Sequence, residues 1–193
     1  GLTLNGVGNG TKIENIYVLE SADDAIEFFG GTVNVTNLLA VNPDDDMFDF
    51  TQGYCGTLKN CYGVWESDYT STEADPRGIE ADGNMDGLYP DHLRQSDFKV
   101  ENMTIVNNAA NTADNVDRMQ DVIKIRRGAK ATITNALVKG TGGAIDLVDM
   151  KDSKGAGNIE SSIHITNTLI FTGLKQNGEL NTFVESADNT GAD

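Results

Sequence analysis

The chain has 193 residues, 14 Lys and Arg against 30 Asp and Glu, and therefore a formal charge of −16. That length suits one domain able to bury its own core, and a hydrophobic share of 38 % with 21 glycines excludes wholesale disorder. The charge repels phosphate with no basic stripe to offset it, and no apolar run approaches the roughly 20 residues of a membrane span, which argues against nucleic-acid partners and membrane insertion.

Read in chain order, the sequence repeats. Leu2-Thr3-Leu4 opens as a strand. The segments Ile13-Glu14-Asn15-Ile16, Val35-Thr36-Asn37-Leu38, Leu58-Lys59-Asn60-Cys61, Val100-Glu101-Asn102-Met103, Ile133-Thr134-Asn135-Ala136 and Ile165-Thr166-Asn167-Thr168 then share one pattern around a central asparagine. The asparagines are spaced 22, 23, 42, 33 and 32 residues apart, so the first two intervals read as a bare repeat and the others as that repeat with insertions. A second ladder runs between them: Ile26-Glu27-Phe28, Phe48-Asp49-Phe50, Ile79-Glu80-Ala81, Ile123-Lys124-Ile125 and Ile145-Asp146-Leu147. Apolar and charged residues alternate there, the mark of half-buried strands.

No single turn of this kind buries its apolar face alone, so the turns must stack. The expected fold is all-β, a right-handed parallel β-helix of about six to seven turns with loop insertions at two corners. Each asparagine sits at a bend, where it tolerates the left-handed conformation and can bond the next asparagine in the stack. The N-x-S/T matches at Asn9, Asn34 and Asn102 are thus corner and strand residues rather than glycan acceptors. A leucine-rich repeat is excluded because its leucine spacing is absent. Cys55 and Cys61 match no zinc or redox spacing, which leaves incidental thiols or a local disulfide.

The stretches Gly10–Ile16, Ser21–Asn34 and Arg77–Asn84 resemble the right-handed β-helix region of secreted or lipid-anchored bacterial surface proteins, a pectate-lyase-like architecture. The resemblance implies an extracellular or outer-surface location for a single β-helix domain over residues 1–193, a fragment or mature portion of a longer protein. It names no activity, because the architecture hosts lyases, hydrolases and adhesins alike.

Chemistry can reside in three places. Asp82-Gly83-Asn84-Met85-Asp86-Gly87 fits the first half of a calcium loop, with Asp82, Asn84, Asp86, the Leu88 carbonyl and Asp91 as ligands. Leu93 stands where such a loop carries its bidentate Glu, so a plain acidic surface loop is the competing reading. Secondly, Asp44, Asp45, Asp46 and Asp49 lie one turn after Asp23, Asp24 and Glu27 and one turn before Glu80. Such columns of carboxylates need a cation, a basic neighbour such as Arg77, or raised pKa values, unless solvent alone screens them. Thirdly, insertions around 66–75, 83–97, 107–119 and 149–160 would wall a groove in which Trp65, Tyr69 and Tyr89 stack on sugar rings.

The expected function is a surface scaffold or adhesin-like module that binds a polysaccharide with calcium support and can self-associate along the solenoid. The alternative is a lyase or hydrolase on an acidic polysaccharide, with Asp45, Asp46 and Asp49 as acid and base, or Arg77, Arg94, Arg126 or Arg127 as the base the resemblance implies. No G-H-G surrounds His92, and His164 sits in mid-strand facing outward, so no histidine chemistry is expected.

Overall fold

The computed structural model describes residues 1–84, 94–109, 121–140, 146–151, 155, 160–172, 175–176 and 179–180. Two parallel sheets carry the chain. Sheet A stacks β1 (Leu2–Asn5), β3 (Ile26–Phe29), β5 (Phe48–Thr51), β7 (Ile79–Asp82), β9 (Asp121–Arg126) and β11 (Asp146–Asp149) in that order. Sheet B stacks β2 (Lys12–Leu19), β4 (Asn34–Val41), β6 (Thr57–Trp65), β8 (Asp97–Asn107), β10 (Lys130–Gly140) and β12 (Ser162–Thr166), with β13 (Leu169–Thr172) also on β10. The strands alternate between sheets, so the chain winds from one to the other and back, and the fold is a parallel β-helix. A short antiparallel pair, β14 (Lys175–Gln176) and β15 (Glu179–Leu180), departs from the all-parallel expectation.

Register follows the apolar periodicity. Ile26, Phe48, Ile79, Ile123 and Val148 form one column of sheet A, all at most 2 % exposed. The last member corrects the sequence reading, which aligned Ile145-Asp146-Leu147 with this ladder. Val148 pairs with Ile123 and Asp149 with Lys124 instead, a shift of three residues that keeps the same apolar–charged alternation and keeps an aspartate beside Lys124. Inside the solenoid, Phe50 stacks on Phe28 at 5.3 Å and on Phe98 of sheet B at 4.0 Å, and Tyr54 lies over Phe28 at 4.3 Å. Each buried aromatic of this kind contributes roughly 1.5–3 kcal/mol of transfer free energy. Met47 packs directly over Gly63, where a Cβ would meet its Sδ at 2.4 Å and force that side chain to shift.

The asparagine corner forms as expected within each sheet B strand. Asn15, Asn37, Asn60, Asn102, Asn135 and Asn167 all have φ between 51 and 60°. Each of the first four amides accepts a hydrogen bond from the next, at 2.9, 3.0, 2.8 and 3.1 Å. The ladder is exposed rather than buried, so its main work is to hold a left-handed bend at every turn. Flanking residues 35, 38, 58, 61, 100, 103, 133 and 136 point inward. Cys55 and Cys61 are both free thiols, which leaves the disulfide alternative aside. Burial pushes the Cys61 thiol up to about 12.

Candidate functional site

The outward positions of sheet A carry the charge. Period-2 alternation points Glu27, Asp49, Glu80, Lys124 and Asp149 away from the core, and parallel register lines them up across successive turns. Two residues before the inward Ile26, Phe48, Ile79 and Ile123, Asp24, Asp46, Arg77 and Asp121 make a second row. Neighbouring strands lie about 4.8 Å apart, so groups in different turns become neighbours.

At the first three turns these rows enclose a cleft of about 170 Å³ lined by Asp23, Asp24, Glu27, Phe29, Asp45, Asp46, Asp49, Thr51, Glu80 and Asp82. Asp24, Asp46 and Asp49 each bring a carboxylate oxygen within 4.8 Å of the others, and so do Asp23, Asp24 and Asp45. Backbone amides hold part of the set, with Asp46 N–H donating to Asp24 Oδ1 at 3.0 Å and Arg77 N–H donating to Asp46 Oδ1 at 2.6 Å. Asp49 Oδ1 is buried and accepts no hydrogen bond. Among the described residues no ammonium or guanidinium forms an ion pair with Asp23, Asp24, Asp45, Asp46 or Asp49.

Charge crowding shows in the acidities. Burial, then the Asp45 charge, pushes Asp24 up to about 8, and burial, then Glu80, pushes Asp45 up to about 7. Asp46 and Asp49 are raised well above the ordinary carboxylate range, by burial first and then by Glu80 and Asp24 respectively. Asp44, at the rim, goes the other way. Burial would raise it, yet hydrogen bonds from the Thr72 hydroxyl and amide and from the Tyr69 hydroxyl outweigh that and hold it below its usual range.

Beyond Glu80 the face becomes a lattice of ion pairs. The Arg77 guanidinium is 5 % exposed, with Nε on Asp121 at 2.8 Å and Nη1 on Glu80 at 3.2 Å. Burial alone would lower its pKa, but Asp121, Glu80 and Asp46 outweigh it and hold the proton more firmly than usual. Arg77 is therefore a fixed cation that braces three turns, and the base role expected for it finds no support in this environment. Lys124 pairs with Asp149 in the same column. Asp82 is 3 % exposed and takes Arg126 Nε at 2.9 Å and Arg127 Nη1 at 2.7 Å. Both guanidinium groups already occupy the carboxylate that was to open the calcium loop. Asn84 is buried and its carbonyl accepts from the Thr51 hydroxyl at 3.3 Å. Asp86, Leu88 and Asp91 lie outside the described residues.

The aromatic residues expected to meet sugar are placed unequally. Trp65 is a correction: it is 2 % exposed, with Nε1 donating to the Pro43 carbonyl, so its ring packs under the 66–78 connection and offers no face. Tyr69 is half-buried against it at 6.3 Å and spends its hydroxyl on Asp44. Tyr89 and His92 lie outside the described residues, and His164 is exposed on β12. Missed by the sequence reading were Asp121 and Asp149 as partners of Arg77 and Lys124. Their signal was present in the strand register, but both pairings cross intervals lengthened by insertions.

Two parallel sheets wound as one coil, a left-handed asparagine at each bend and a charged outer face on the first sheet define the parallel β-helix class. Within it the chain belongs to the pectate-lyase-like β-helix domain family, whose family model matches residues 1–192. That membership points to a carbohydrate-related role. Comparison with curated proteins and with solved structures finds no match.

Proposed function

We propose that sheet A engages an acidic polysaccharide through a divalent cation, with calcium the fitting ion, held by Asp24, Asp46 and Asp49 and flanked by Asp23 and Asp45. One observation carries this reading: a knot of carboxylates that no ammonium or guanidinium joins in an ion pair, and that includes a buried Asp49 oxygen accepting no hydrogen bond. Hard divalent cations prefer several carboxylate oxygens, and an ion there would offset the burial and mutual repulsion that raise Asp24, Asp45, Asp46 and Asp49. A carboxylate-bearing sugar would reach the ion from the open side of the cleft, while Arg126, Arg127 and Lys124 lie further along the same face. In this reading the domain acts as an extracellular, surface-displayed glycan-binding module, in keeping with the resemblance of its repeats.

A second reading is catalytic. The family membership also admits a lyase or hydrolase on the same polysaccharide, with Asp45, Asp46 and Asp49 of the cleft as acid and base. The test is retention of polygalacturonate with calcium and with chelator, on wild type and Asp49→Asn. Binding that needs calcium and fails in the variant supports the proposal, and binding indifferent to both sinks it. Unsaturated ends absorbing in the ultraviolet would identify a lyase, and new reducing ends without them a hydrolase.

A further inference from the structure

Sheet B presents a different surface. Past the asparagine corner the outward positions run Tyr17, Leu39 and Tyr62 in one column and Leu19, Val41 and Val64 in the next. Tyr17 is 59 % exposed, Leu19 51 %, Leu39 39 % and Tyr62 41 %, the four exposed large hydrophobic side chains of the described residues. Among the described residues the outward ladders of sheet A at these turns are polar or charged apart from the half-buried Phe29, so this flat, exposed patch is an exception that solubility alone would not favour. We infer that it is a second carbohydrate site, a platform for a neutral, extended, β-1,4-linked glycan.

Three observations choose that occupant. Tyr17 and Tyr62 are in register two strands apart, hence roughly 9–10 Å from one another along the axis of the coil. An extended β-1,4-linked chain repeats every two sugars over a similar length, so alternate rings present the same face to each tyrosine. The apolar C–H face of a pyranose suits the apolar body of tyrosine, whose hydroxyl remains free to meet the sugar's polar edge. Charge decides between partners. None of the six positions carries a charge, and on the asparagine side of the patch two ion pairs close, Lys12 on Glu14 at 3.1 Å and Lys59 on Glu101 at 3.3 Å. A second copy of the chain would bring another −16 against the first, whereas a neutral glycan brings none. Next to the tyrosines, the exposed ladder amides of Asn37 and Asn60 each donate one N–H to the preceding asparagine and retain a second for a sugar hydroxyl.

This site lies on the other sheet from the acidic cleft and needs no cation, so it stands or falls independently of the function proposed above. The experiment is titration calorimetry in chelator with cellohexaose, xylohexaose and mannohexaose, alongside sedimentation velocity. Binding of at least one of them is expected, weakened about tenfold by Tyr17→Ala or Tyr62→Ala and largely kept by Tyr17→Phe or Tyr62→Phe. Asp46→Asn should leave it unchanged. Because both tyrosines are exposed, the variants should melt like wild type, and a melting curve on each checks this. The inference is overturned if none of the three oligosaccharides binds, if Tyr17→Ala/Tyr62→Ala binds equally well, or if the patch instead joins two copies in a dimer that this double variant dissolves.

Discussion

Asp24→Asn tests whether the cleft stores electrostatic strain. Asparagine keeps the oxygen that accepts the Asp46 amide and removes the ionisable proton. In the folded chain Asp24 titrates at about 8 against 3.8 when unperturbed, so the folded state holds its proton more tightly than the unfolded one. Its contribution to stability is therefore complete below about pH 4 and is lost progressively as the pH rises toward 8. At pH 7 the loss reaches at most about 4 kcal/mol, at about 1.4 kcal/mol for each of the roughly three units involved. For a chain of this size that corresponds to about 10 °C in melting temperature. Thermal unfolding by circular dichroism, in chelator at pH 5 and pH 7, should show wild type gaining stability on acidification. Asp24→Asn should start higher at pH 7 and gain less. Calcium at pH 7 should raise wild type, by about 2.7 kcal/mol at 100 times its dissociation constant, and raise the variant less. A wild-type melting temperature that is flat between pH 5 and 7 without metal, or a variant less stable than wild type at pH 7, would refute the reasoning.

Phe50→Ala should cost about 3–5 kcal/mol in urea unfolding, because Phe50 is fully buried between Phe28 and Phe98 and its neighbours cannot close the gap. Asn60→Ala should destabilise more than Asn60→Gly, since both lose two ladder bonds but only alanine is strained at a φ of 54°. Equal losses would show that the amide bonds, not the bend, dominate. Arg77→Met should cost about 3–5 kcal/mol by leaving Asp121 buried without its guanidinium, while Glu80 keeps Arg126, and adding Asp121→Asn should recover part of it. Strict additivity in that pair would argue against the brace.

The coil was legible because its signals repeat. Asn15, Asn37 and Asn60 announce the period before any insertion interrupts it, and once the bend is placed the inward positions follow by parity. The acidic cleft was legible for the same reason, since Asp24 and Asp46 occupy equivalent places in two uninterrupted turns. Legibility fails where the period is broken. Val148 rather than Ile145 follows Ile123, and since both choices satisfy an apolar–charged–apolar pattern and both set an aspartate opposite Lys124, the pattern alone does not distinguish them. Trp65 fails for another reason. Its neighbours in sequence read as an insertion, but the indole N–H finds a carbonyl beneath the loop, and burial of that kind depends on how the 66–78 connection folds back.

The asparagine corner also governs how this chain tolerates change in length. Successive corner residues are separated by 22, 23, 42 and 33 positions, yet each amide meets the one before it. Whatever the chain does on the far side of a turn, the next bend returns it to the same angular origin. Extra residues between β6 and β7 thus leave the pairing of β6 with β8 in step. The remaining corners are consequently places where new loops can be grafted or exchanged, while a single residue added beside an asparagine would turn every following side chain of that strand inside out.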